Sequence, residues 1–253
     1  MIISHQHRFI FIHVPRTGGE AVTAALAPEL DPHDRVLRSG VEPKPGAGDP
    51  GPDGLGPHST ARAVAASLPL ETWQGYLVFA LVRHPVDRMV SWYRQLGEVA
   101  ENRTRWNPGH ARYHLTNRGR RLDPLRWGSM RAFRETDSFS AFLRHPSLQD
   151  AGEFRSQADH LTDGDGALLV DEVGHTETLA QDLRALASRI GIEPWPLPRA
   201  NVSTWQPSSG PVEVTDADRD LLLDRFADDL RLFGYGPYAM SSGGEIAARR
   251  SAR

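Results

Sequence analysis

Short apolar runs alternate along the chain with segments whose apolar residues recur every three to four positions, and this alternation outlines the elements. Phe9-Ile10-Phe11-Ile12-His13-Val14 reads as a core strand. It runs into Pro15-Arg16-Thr17-Gly18-Gly19, and a helix from Glu20 to Leu26 follows, with Val22, Ala25 and Leu26 along one side. A second junction of this kind begins at Tyr76. Tyr76 to Val82 is nearly continuously apolar, as in a strand covered on both faces of a parallel sheet, and it ends at Arg83. Pro85 suits the first turn of the next helix, where Val86, Met89, Val90, Tyr93 and Leu96 keep a period of about 3.6. Leu168-Leu169-Val170 predicts a further strand, and Leu179, Leu183, Leu186 and Ile190 line one face of the helix after it. Thr60 can cap a helix with Ala61, Val64, Ala65 and Leu68 on one face. Thr215 can cap another, carrying Leu222, Phe226 and Leu230. Strands alternating with helices predict an α/β fold.

Composition narrows the picture. A chain of 253 residues, 39% apolar, suits one large domain, here placed over residues 1–240. Residues 38–57 are dense in Gly, Pro and Asp without apolar periodicity and read as a flexible loop inside that domain; residues 241–253 read as a disordered tail. Lys and Arg number 29 against 32 Asp and Glu, so no overall basic field favours nucleic acid. The absence of cysteine excludes disulfides, cysteine-ligated metals and thiol nucleophiles. No apolar run approaches the roughly 20 residues that cross a bilayer, and no cleavable leader is visible, so a cytoplasmic chain without a membrane partner is expected. The pairs His5 with His7 and His110 with His114 lack carboxylates at fixed geometry, and no metal is expected. Nine arginines against three acidic residues between Glu101 and Glu135 form a local basic segment, either a solvated face or a surface for an anionic partner. Nothing in the sequence assigns an oligomeric state.

The chemistry concentrates at the two strand-to-helix junctions. Backbone N–H groups of a glycine turn that opens a helix can converge on an anion, and Gly18 and Gly19 allow close approach. Arg83, at a strand's carboxyl end, supplies a fixed fork of donors, and Ser91 on the following helix supplies a hydroxyl.

Taken together, FIFIHVPRTGGEAV and FALVRHPVDRMVSWY resemble the two donor-binding motifs of the 3′-phosphoadenosine 5′-phosphosulfate (PAPS) dependent sulfotransferases, specifically the type 2, carbohydrate-type family. His58-Ser59-Thr60-Ala61, LLVDEVGHTETLAQDL, LPRANVS and FADDLRLFGY extend the likeness over most of residues 9–235. The resemblance implies a P-loop-NTPase-like three-layer fold with a central parallel sheet flanked by helices. It implies that Arg16, Thr17, Gly18, Gly19, Glu20 and Ala21 cradle the 5′-phosphosulfate, that Arg83 and Ser91 hold the 3′-phosphate, and that the product is adenosine 3′,5′-bisphosphate. Asn201 and Ser203 match a third block that closes over the nucleotide. The chain departs from the family in having Arg16 for a usual lysine and Ala21 for a usual hydroxyl residue.

Sulfuryl transfer asks a protein for in-line positioning and for positive charge on the leaving group, which assigns Arg16 a catalytic part. It also asks for a base near neutrality. His58 matches the histidine proposed as base in carbohydrate members of the family; the other reading is that it only caps or orients the helix after it. The acceptor implied is a hydroxyl on a sugar or secondary metabolite. Two alternatives stand beside this reading. One is a non-catalytic nucleotide-binding or partner-docking protein of the same fold. The other is a nucleotide kinase, for which the chain lacks G-x-x-x-x-G-K-[ST].

Overall fold

Successive side chains on the central strands point to opposite faces and are buried on both. Phe9, Phe11, Phe79 and Leu81 lie in one core; Ile10, Ile12, Val78, Ala80 and Val82 lie in the other. The computed structural model describes residues 1–37, 54–104, 128–149, 151–193, 205–207 and 210–236. Its strands are β1 (Ile2–Ser4), β2 (Phe9–Ile12), β3 (Arg35–Val36), β4 (Leu77–Val82) and β5 (Glu172–His175), in the order β3-β1-β2-β4-β5. β2 runs parallel to β4 with Ile12 opposite Ala80, and β4 runs parallel to β5 with Val82 opposite His175. The sheet is nevertheless mixed, because β1 pairs antiparallel with both β2 and β3. A link of only His5 to Arg8 joins β1 to β2, too short for a crossover, so the pair closes as a hairpin.

The strand expected at Leu168–Val170 lies later. Leu168 makes a single bridge to Thr162, and pairing with β4 starts as the Asp171 amide donates to the Val78 carbonyl (2.7 Å). β5 then follows as Glu172-Val173-Gly174-His175. Its pattern is masked because Glu172 is buried and ion-paired with Arg189, while Gly174 leaves space for Leu81 and Asp182.

The chain divides into two compact units: residues 1–84, 156–201 and 226–253, and residues 85–155 and 202–225. The first holds the sheet. Helix α1 (Gly19–Leu26) and the helix Leu179–Arg189 supply Val22, Leu26, Leu183 and Leu186 to one face of it. To the other, α2 (Ala61–Ser67), α3 (Leu70–Gly75) and the helices Gln157–Leu161 and Ala227–Phe233 supply Val64, Trp73, Leu161 and Phe233. Thr60 caps α2 as predicted, its Oγ1 accepting from the Ala63 amide (3.2 Å).

The second unit is helical among its described residues. It contains α4 (Pro85–Thr104) with Gly128–Glu135, Phe139–Arg144, Pro146–Gln149 and Asp216–Arg225. Tyr93 packs among Phe133, Phe139, Phe142 and Trp205, and Trp205 lies so close over Gly97 that a Cβ there would strike the indole. The helix expected from Thr215 through Leu230 is broken at Phe226 (φ −110°, ψ 32°), and each half packs within its own unit. Most of the Gly/Pro-rich loop (38–53), most of the arginine-rich segment (105–127) and the tail (241–253) lie outside the described residues.

Candidate active site

The turn after β2 is built from left-handed backbone. Arg16 has φ 68° and Gly18 φ 84°; for arginine this region costs on the order of 1 kcal/mol, whereas glycine enters it freely. Such alternation turns successive N–H groups toward one concavity. The Ala21 and Val22 amides return to the Gly18 carbonyl (2.9 and 3.3 Å), so the Gly19 and Glu20 amides lie ahead of the first intrahelical bonds. Thr17 is buried, and its hydroxyl donates to the Val14 carbonyl (2.9 Å), which closes the turn. Gly19 has a separate reason to be glycine: the buried ring of His13 packs against it, and any Cβ would collide with that ring. Ala21 faces the core, while Arg16 and Glu20 are half-buried.

At the carboxyl end of β4 the sheet pairing stops, and side chains take over its backbone groups. The Thr176 hydroxyl donates in a three-centre arrangement to the Val82 carbonyl (2.9 Å) and to the Thr17 carbonyl of the glycine turn (2.8 Å). Gln157, fully buried, accepts from the Arg83 amide and donates to the Arg83 carbonyl, both at 2.8 Å. Its orientation is held by Asp229, whose carboxylate accepts from the Gln157 side-chain and main-chain N–H groups (3.1 Å each) and from the Ala158 amide (2.8 Å). Glu177 accepts from the His84 amide (2.7 Å) and from the Tyr235 hydroxyl (3.0 Å). Burial and the Glu177 carboxylate push the Tyr235 phenol far up, so it remains a donor.

His58 reaches the same turn from α2's side. Its Nδ1 lies 3.0 Å from the His13 carbonyl, which can only accept, so Nδ1 carries the proton and the basic lone pair belongs to Nε2. The two imidazoles meet edge to face at 4.6 Å. Burial lowers the His58 pKa below its ordinary 6.5; the hydrogen bond to His13 opposes this, and the N-terminal ammonium and Arg16 cation reinforce it. Burial first, then the neighbouring His58, the N-terminal ammonium and the Arg16 cation, hold His13 well below 6.5. Helix capping does not account for His58, because Thr60 does that work.

The turn 16–20, His58 and Arg83 thus belong to one unit, with Thr176 joining the turn to the end of β4 and His13 joining it to His58. Ser91 is half-buried on α4 in the helical unit; Arg88 on the same helix is buried and donates to the Arg155 carbonyl (2.7 Å). Tyr93 is core, as expected. Asn201 and Ser203 lie outside the described residues. Sequence reasoning passed over Gln157, Thr176 and Glu177. A signal was present in His175-Thr176-Glu177-Thr178, a polar run at a strand's carboxyl end, where α/β proteins place ligands. Among the described residues no group of three or more His, Cys, Asp or Glu could hold a metal, and no helix is long and apolar enough to cross a membrane.

A sheet with helices on both faces, and a glycine turn and an arginine at neighbouring parallel strand ends, defines an α/β protein with chemistry suited to an anionic ligand. The Sulfotransferase family model matches residues 1–236, and the chain belongs to that family, in its type 2 branch. Comparison with curated proteins and with solved structures finds no match. Membership supports sulfuryl transfer as the general activity.

Proposed function

We propose that this protein moves a sulfuryl group from PAPS to a hydroxyl of a sugar or secondary metabolite, leaving adenosine 3′,5′-bisphosphate, on a P-loop-NTPase-like sheet unit. The observation that carries the reading is the meeting of the glycine turn and the β4 end at the Thr176 hydroxyl, with His58 bound to the same turn through the His13 carbonyl.

The residues fit such a donor. Gly18 lets the turn take its left-handed backbone and Gly19 leaves room for the His13 ring beneath it, while Arg16 follows β2 and Arg83 follows β4, a cation after each of the two strands. When bound, the donor supplies an activated sulfuryl group whose departure leaves charge on the 5′-phosphate. The Gly19 and Glu20 amides and the Arg16 guanidinium would meet that charge. Arginine keeps its proton, so Arg16 acts electrostatically and not as an acid. The Ala21 amide is already bonded to Gly18, and the Thr17 hydroxyl to Val14, so both serve by shaping the turn. Arg83 would hold the 3′-phosphate; the motif alone assigns Ser91 to help it. His58 Nε2 would accept the acceptor's hydroxyl proton. The arginines between Glu101 and Glu135 favour an acceptor with negative charge.

Titration calorimetry tests the nucleotide assignment. Adenosine 3′,5′-bisphosphate is expected to bind at least about tenfold more tightly than AMP, since a charge-assisted phosphate contact contributes about 1.5–3 kcal/mol, and Arg83→Ala should erase the difference. Equal affinity for both nucleotides in the wild type would remove the 3′-phosphate site.

A further inference from the structure

Four consecutive backbone groups, starting at the carbonyl of the last paired residue of β4, are each satisfied by a side chain from a distant segment: the Val82 carbonyl by Thr176, the Arg83 amide and carbonyl by Gln157, and the His84 amide by Glu177. A strand end left to water would sample many conformations, and each would aim Arg83 differently. Here the backbone on either side of the Arg83 side chain is held in one geometry. Thr176 is the member that does more than orient Arg83. Its one hydroxyl also bonds the Thr17 carbonyl, and its methyl group packs 3.8 Å from where a Cβ of Gly18 would stand. It therefore sets the separation between the glycine turn and the arginine.

We propose that Thr176 is a positioning residue that fixes the distance between the two anion-binding strand ends, so that the site measures the span between the 5′- and 3′-phosphates of one nucleotide. This rests on the donor reading above and adds to it the element that makes the two ends cooperate. A ligand that engages only the glycine turn is indifferent to the spacing. A ligand that must engage both ends is not, because a misplaced second site forfeits its contribution.

The test compares Thr176→Val, which keeps the shape and removes the donor, with Thr176→Ser, which keeps the donor. Calorimetry with adenosine 3′,5′-bisphosphate and with AMP gives the affinity ratio, steady-state assays give the donor KM and kcat, and a melting curve reports the fold. Thr176→Val is expected to shrink the ratio about tenfold through the bisphosphate arm alone and to raise donor KM more than it lowers kcat. Thr176→Ser should stay within about twofold of wild type. If Thr176→Val does not fold, Thr176→Ala reads the same loss without the methyl in the hydroxyl's place. A variant that melts lower but weakens both nucleotides equally would show a merely structural threonine and overturn the proposal. A wild type that does not prefer the bisphosphate would overturn the donor reading itself, and with it this one, before any variant is made.

Discussion

His58 and His13 are two imidazoles placed where charge is disfavoured, and their neutrality follows from burial beside the Arg16 cation. A base must be unprotonated to act, so the acid limb of a kcat/KM profile should lie below pH 6.5, the ordinary histidine value. His58→Ala should bind nucleotide almost normally and lose at least about a hundredfold in turnover. Undiminished turnover, or an acid limb above 6.5, would release His58 from that role. Stability follows the same groups. Each folded-state pKa is depressed, so the contribution is whole above 6.5 and falls away as pH drops below 6.5 through the folded value. The base candidate was legible as a histidine next to a capped helix in a familiar motif. Its tautomer was not, because that depends on the carbonyl of a residue 45 positions away.

Elements announced themselves wherever burial was simple. β2, β4 and α4 were readable because each buries a regular apolar pattern, and the α2 cap because Thr60 acts within its own turn. β5 was hidden because two of its four residues are a buried, ion-paired glutamate and a glycine. The junction of β2 with α1 shows how one element restrains another: the His13 ring at the end of the strand fills the space where a side chain on residue 19 would go. Gly19→Ala should therefore cost about 1–3 kcal/mol by overpacking and disturb nucleotide binding. Removing the ring in Gly19→Ala/His13→Ala should recover part of that stability in denaturant melts. A double variant no more stable than Gly19→Ala would place the glycine requirement elsewhere, in the backbone.

For the whole molecule, Asp218 is a fully buried carboxylate in the helical unit, where Ser140, Arg144 and Thr215 bond it. Burial would raise the Asp218 pKa, but hydrogen bonds from Ser140, Arg144 and Thr215 outweigh it and bring it from 3.8 to about 2. The depressed value means that this stabilisation is complete above 3.8 and disappears as pH falls toward 2. Asp218→Asn should lower the melting temperature at pH 7 and flatten its decline on the acid side. An unchanged acid slope would show that other carboxylates govern it.

Across these scales, the chain's local chemistry was already written in its order of residues: apolar alternation for the central strands, glycines for a tight turn, and an arginine at a strand's end. Those properties act over a few positions, and a one-dimensional pattern records them. The folded protein alone decided the antiparallel edge formed by β1, the break at Phe226, and the side chains that take over the backbone of β4. Thr176 meets a carbonyl 94 residues away, and Gln157 an amide 74 away. Bonds of that reach have no local signature, because they form only after two cores have packed against one sheet and brought the partners together.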